Sequence, residues 1–169
     1  MFASPLLFGG EADMLHRGLF GAAIAAVLMS NGPVLAQSAS TGFKQVISTP
    51  NAPEAIGPYS QAIRAGNMVF LAGQIAIDPK TKQLMKDASI EDQTRLVLEN
   101  LKAVLETDGL GMDHVVSTTV FLKDLNESGK MKEVCATFFK SAPPARATVE
   151  AARLPRDVKV EIAAIAVRP

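Results

Sequence analysis

Arg146 stands between two alanines in Pro144-Ala145-Arg146-Ala147-Thr148-Val149-Glu150. A guanidinium offers a planar fork of N–H donors that fits the two oxygens of a carboxylate. Each such charge-assisted bond is worth about 1.5 to 3 kcal/mol where water is excluded. The small neighbours leave room for a ligand of that kind. In an extended strand the side chains alternate, so Arg146, Thr148 and Glu150 share one face and Ala147, Val149 and Ala151 the other. The same spacing equally fits a structural ion pair of Arg146 with Glu150 or Glu161, and the residues alone leave both readings open. Glu161 interrupts an apolar strand in which Val158, Val160 and Ile162 fall on one side and Lys159, Glu161 and Ala163 on the other. A carboxyl there can hold a catalytic proton or orient a water, or it can pair with Lys159 or Arg146 at the surface. Tyr59 is the single tyrosine and lies in Ile56-Gly57-Pro58-Tyr59-Ser60. Gly and Pro fix a turn there that presents the hydroxyl at a pocket edge, with ordinary half-buried packing as the alternative.

Other chemistry finds less support. Cys135, the only cysteine, sits among Val134 and Phe138 on the apolar side of a helical stretch and reads as an inert core thiol. One cysteine and two histidines exclude an intrachain disulfide and leave too few soft ligands for a zinc or iron site, so no metal is expected. Ser60, Ser117 and Ser128 have only His114 as a conceivable triad partner, with no spacing that favours it. Gly66, Gly73, Gly109 and Gly111 match neither the dinucleotide nor the Walker pattern, so no nucleotide cofactor is expected. Seventeen basic residues balance seventeen acidic ones, and there is no Trp. That balance provides neither the charge nor the stacking platforms of a nucleic-acid binder, and the implied partner is a small molecule.

These residues must be positioned by one domain, which a chain of 169 residues accommodates. Residues 61–65 and 68–72 flank Ala65-Gly66-Asn67 and read as a hairpin, with residues 74–77 continuing the second strand. Ser89 caps a helix running to about Thr107, with Glu91 and Asp92 in its first turn. Ile90, Thr94, Val97, Leu98, Leu101, Val104 and Leu105 form its apolar face. Residues 115–122, rich in Val and Thr, suit a strand. Residues 126–140 read as a second helix burying Met131, Val134, Cys135, Phe138 and Phe139, ended by Pro143-Pro144. Residues 145–151 and 158–167 are the last two strands. The result is an α+β fold, a single sheet with two helices on one face. The other face, which includes a strand apolar on both sides, is expected to pack against further subunits.

Taken together, the motifs resemble the RidA (YjgF, endoribonuclease L-PSP-like) family over about residues 43–168. They are Ile56-Gly57-Pro58-Tyr59, Gly73-Gln74-Ile75, Thr119-Val120-Phe121-Leu122-Lys123-Asp124-Leu125-Asn126, Pro144-Ala145-Arg146, Arg153-Leu154-Pro155 and Val160-Glu161-Ile162. The resemblance implies a chorismate-mutase-like fold, a homotrimer with sites between subunits, and cofactor-free 2-iminobutanoate/2-iminopropanoate deaminase activity. It assigns Arg146 to the substrate carboxylate, Tyr59 and Glu161 to the attacking water, Gly73 to the pocket lining, and the backbone of Thr148 to the imine N–H. Lys132 and Cys135 stand where many relatives carry Asn and Tyr, and Pro143 where an aromatic is frequent. The alternatives are a non-catalytic ligand-binding or chaperone-like trimer and, with less support from charge, an endoribonuclease.

The amino-terminal segment differs in kind. His16-Arg17 precedes an apolar run of about 11 residues, and Val34 and Ala36 suit cleavage before Gln37. The run is shorter than the ~20 residues of a membrane-spanning helix. Residues 1–36 are therefore expected to be a signal peptide, which starts at Met14 if the first 13 residues are an artefact of start-site choice. Residues 37–42 are expected to be a polar linker, and residues 43–169 the domain of a periplasmic or secreted protein. An uncleaved tail on a cytoplasmic protein is the alternative. Mass spectrometry of the protein from its own host is expected to find Gln37 as the first residue; a chain that begins at Met1 or Met14 contradicts cleavage.

Overall fold

The structure, a computed structural model, describes residues 43–169. The signal peptide and linker expected over residues 1–42 lie outside the described residues. The elements follow the order β1 (Gln45–Ile47), β2 (Ala62–Ala65), β3 (Met68–Gln74), α1 (Ile90–Thr107), β4 (Val115–Leu122), α2 (Ser128–Phe138), β5 (Ala145–Glu150) and β6 (Val160–Val167). The strands form one sheet in the order β1-β2-β3-β6-β4-β5. Among the described residues only β4 and β5 are parallel, and α2 is the crossover that such a pair requires.

Local chemistry accounts for the main elements. Gly66 turns the β2–β3 hairpin with a φ of 63°, left-handed backbone that glycine adopts without strain. The Ser89 hydroxyl accepts from the Asp92 N–H at 3.1 Å and caps α1. Every residue of the apolar face expected for α1 is buried. That face packs against Val69 and Leu71 of β3 and Val160, Ile162 and Ala164 of β6, while Met131, Val134 and Cys135 bring α2 onto the same core.

Register decides what each strand shows to which side. Thr118, Val120 and Leu122 pair with Arg146, Thr148 and Glu150 on β5, and with Ala164, Ile162 and Val160 on β6. Paired residues share a face, so Arg146 lies on the side of the sheet that the helices cover. Phe121 pairs with Val149 and Glu161 on the opposite, open side. That side also carries Val46, Ile63 and Phe70, and Phe70 and Val149 are 41% and 46% exposed.

Buried polar side chains tie the segments that leave the sheet. Gln61 accepts from the Thr49 N–H at 2.6 Å and donates to the carbonyls of Thr49 and Pro53 at 3.0 and 2.7 Å. Gln93, fully buried, donates to the Lys86 carbonyl at 2.9 Å and accepts from the Lys159 N–H at 2.9 Å. Asp108 at the end of α1 receives Arg64 from β2 and Arg168 from the carboxy-terminal segment, each at 2.9 Å.

Some boundaries differ from the sequence reading. β1 was absent from it, because three residues with one buried side chain carry no alternation. Residues 75–77 do not continue β3. A bulge between Leu71 and Gln74 bends the strand, and the Ile77 carbonyl is taken by Asn100 of α1 at 3.0 Å. The second helix is shorter than residues 126–140: a 3-10 turn, Leu125–Glu127, precedes it, and Phe139 leaves helical geometry before the proline pair is reached. Phe138 and Phe139 are only half-buried. The last two strands also start or stop short, at Ala145–Glu150 and Val160–Val167. No helix of the described residues is long and apolar enough to cross a membrane.

Gln93→Leu keeps the volume but strands an N–H and a carbonyl inside the protein. It is expected to cost about 2 to 4 kcal/mol in urea unfolding, whereas exposed Lys102→Gln stays within about 0.5 kcal/mol. Equal midpoints for the two variants would show that the Gln93 bonds do not hold β6 to α1.

Candidate functional site

Arg146 projects from β5, a sheet edge, toward the end of α2. It lines a cavity of about 480 Å³ whose other polar side chains are Thr118, Lys132 and Cys135, set among Leu98, Val120, Phe139 and Ile162. Lys132 and Cys135 lie three residues apart on α2, so one helical turn brings both to the same side. Burial pushes the Cys135 thiol above its ordinary range, and the positive charge of Arg146 beside it offsets part of that rise. The thiol donates to the Met131 sulfur at 3.4 Å. Cys135 is thus buried, as its place on the helix required, and also forms part of the wall around Arg146.

Neither structural ion pair open to Arg146 forms. Glu150 accepts from the Leu125 N–H at 2.8 Å, and Glu161 is on the other side of the sheet. Among the described residues, no carboxylate lies within salt-bridge distance of Arg146 and none lines its cavity. The Arg146 side chain, exposed to solvent where it lines this concave, partly apolar pocket, can grip a carboxylate from outside the chain.

A second cavity of about 500 Å³ holds Tyr59, Gly73 and Glu161, with Gln61 and Arg156 in its wall. It opens where β3 bulges. The Glu161 carboxylate packs directly on the Gly73 backbone, and a Cβ built at position 73 would overlap its Oε1. Glycine there is a condition for the position of the carboxyl. Partial burial, which disfavours the charged form, raises the pKa of the Glu161 carboxyl from its ordinary value. Tyr59 is half-exposed at the cavity edge, its hydroxyl oxygen 3.4 Å from the Ile56 N–H. Buried Gln61 holds residues 49–53, the chain that leads into this turn.

Three of the residues singled out in the sequence, Tyr59, Gly73 and Glu161, therefore meet in one cavity, while Arg146 occupies another on the opposite face. Thr148, half-buried on β5, follows Arg146 on the same face but lines neither cavity. The sequence reading did not single out Gln61 or Arg156. Arg156 has a left-handed φ of 57°, unusual for a residue with a Cβ, and the Pro155 before it was the local signal of a turn. Among the described residues, no group of three or more His, Cys, Asp or Glu side chains could hold a metal ion.

Comparison with known proteins places this arrangement. The chain is 57% identical over 124 residues to a RutC family protein of Pyrococcus horikoshii, covering 73% of this chain and 98% of that one. It is 50% identical over 129 residues to the 2-iminobutanoate/2-iminopropanoate deaminase of Salmonella typhimurium, covering 75% and 99%. The crystal structure of Escherichia coli TdcF with bound serine superposes with a TM-score of 0.70 at 44% identity, over 74% of this chain and 99% of that one. The model of the family described as Endoribonuclease L-PSP matches residues 49–168. On that match, and on relatives of about half-identical sequence along nearly their whole length, the chain belongs to the endoribonuclease L-PSP family, which includes the RidA and YjgF proteins.

Proposed function

We propose that this chain hydrolyses 2-imino acids and their enamine tautomers, 2-aminoacrylate/2-iminopropanoate and 2-iminobutanoate, to 2-oxo acids and ammonia. The observation that carries the reading is Arg146, a guanidinium without a carboxylate partner among the described residues, set in a cavity free of acidic side chains. A half-identical relative named as a deaminase supports it. In the proposed reaction Arg146 fixes the substrate carboxylate. Water adds to the C=N carbon with one of its protons passing to nitrogen, and the hydroxyl of the resulting carbinolamine then gives up its proton, also to nitrogen, as the C–N bond breaks to leave the 2-oxo acid and ammonia. Glu161, with its raised affinity for a proton, serves that transfer, and Tyr59 positions the water. Orientation and charge placement suffice, because the imine is already electrophilic.

One substrate cannot touch Arg146 and Glu161 of the same chain across the sheet. The reading therefore includes a homotrimer in which the Arg146 cavity of one subunit closes against the Tyr59, Gly73 and Glu161 cavity of the next. The exposed apolar side chains of the open face support such packing. The proposal also includes export, with the domain acting outside the cytoplasm on imines formed there. Balanced charge gives RNA little to bind, which weighs against the nucleolytic activity in the family's description.

The test couples the purified protein to an amino-acid oxidase acting on alanine and follows imine decay. Wild type is expected to accelerate decay. Arg146→Ala is expected to lower kcat/KM by about 100-fold, with Arg146→Lys in between because an ammonium keeps the charge and loses the fork. No acceleration by wild type, or an Arg146→Ala variant of full activity, rejects the reading.

A further inference from the structure

The Arg146 cavity contains a second cation that a 2-imino monocarboxylate leaves unused. Lys132 projects from α2 into the same wall, one turn from Cys135. Lys130, two residues earlier on the same helix, lies 3.8 Å from Glu91. Lys132 forms no ion pair among the described residues, and neither does Arg146. No Asp or Glu lines the cavity. Within one chain two cations, both on exposed side chains, line a space of about 480 Å³ whose own wall holds no acidic group, so a ligand with two negative groups meets a cation at each end where a single carboxylate meets one. The volume is within the range of small-molecule sites.

We infer that Arg146 and Lys132 together form a dicarboxylate site. The deaminase reading, on which the substrate class rests, makes the preferred substrates 2-imino dicarboxylates, the imines of aspartate- and glutamate-type amino acids. The fork of Arg146 takes the carboxylate next to the imine carbon. The ammonium of Lys132, a point charge on a flexible stem, takes the distal one and tolerates more than one chain length. The chemistry at the imine carbon is unchanged: water adds, nitrogen leaves as ammonia, and the distal carboxylate emerges intact in a 2-oxo dicarboxylate. The reaction class that supplies such a substrate is oxidation of the Cα–N bond of an acidic amino acid.

Two measurements on the full mature protein test this. The first compares kcat/KM for the imines released by an aspartate oxidase and by an alanine-oxidising enzyme. Wild type is expected to favour the aspartate-derived imine. Lys132→Gln, at an exposed position, is expected to lower that preference about tenfold, and Lys132→Arg to restore it. The second is calorimetry with succinate and propionate, which needs no turnover. Wild type is expected to bind succinate more tightly, by about tenfold, and Lys132→Gln to remove the difference. If the protein turns over both imines and Lys132→Gln changes neither ratio, the dicarboxylate site is wrong and the deaminase reading stands. If neither imine is turned over but the succinate preference depends on Lys132, the deaminase reading fails and the dicarboxylate site stands. Equal binding of succinate and propionate by wild type, without a preference in turnover, overturns the inference.

Discussion

Side-chain alternation along two strands in fixed register is the constraint on which the site depends. Arg146 pairs with Thr118, and Glu161 with Phe121, three residues further along β4 and therefore on the other side of the sheet. A one-residue slip of β5 would turn Arg146 into the open face and leave Ala145 or Ala147 in the helix-side cavity. Two bonds at the end of β5 resist such a slip: the Ala151 N–H donates to the Leu122 carbonyl at 2.8 Å, and the Glu150 carboxylate accepts from the Leu125 N–H at 2.8 Å. The hydrogen-bonded register of β5 on β4 thus sets the direction of the guanidinium. The same geometry separates Arg146 from Glu161 within the chain, which is why the proposed reaction calls for a second copy.

Each cavity depends on elements distant in sequence. Around Arg146 the wall comes from β4, α1, α2 and β6. Around Glu161 it depends on a bulge in β3, a glycine that accepts a carboxylate against its backbone, and a loop that Gln61 holds by its amide. Raised proton affinity at Glu161 follows from that close packing, since burial disfavours the charge. Two cations in one cavity suit holding an acid, and a half-buried carboxyl whose burial raises its pKa, in the other, suits moving a proton.

Elements with strong local periodicity were legible in the sequence. Eighteen residues of α1 repeat the helical period, and each apolar position read from Ile90 to Leu105 is buried. The Gly66 turn located the hairpin, and the alternation around Glu161 placed it opposite Ile162. Less local features were not legible. β1 is too short to show a pattern, and residues 75–77 leave the sheet because Asn100, far along the chain, binds the Ile77 carbonyl. Whether Arg146 pairs internally was equally undecidable from spacing, since it turns on the parallel register between β4 and β5. Lys132 stood out only as a departure from the family pattern; its place beside Arg146 is a product of how α2 packs across the sheet.

The central claim is that Arg146 of one subunit and Glu161 of another serve the same substrate, and subunit mixing tests it most directly. Arg146→Ala and Glu161→Gln trimers, each with little activity, are denatured and refolded together in equal amounts. Three-quarters of random trimers are then mixed, and each mixed ring contains one intact site in three, so about a quarter of wild-type imine hydrolysis is predicted to return. Activity no greater than the sum of the two separately refolded parents would contradict the account.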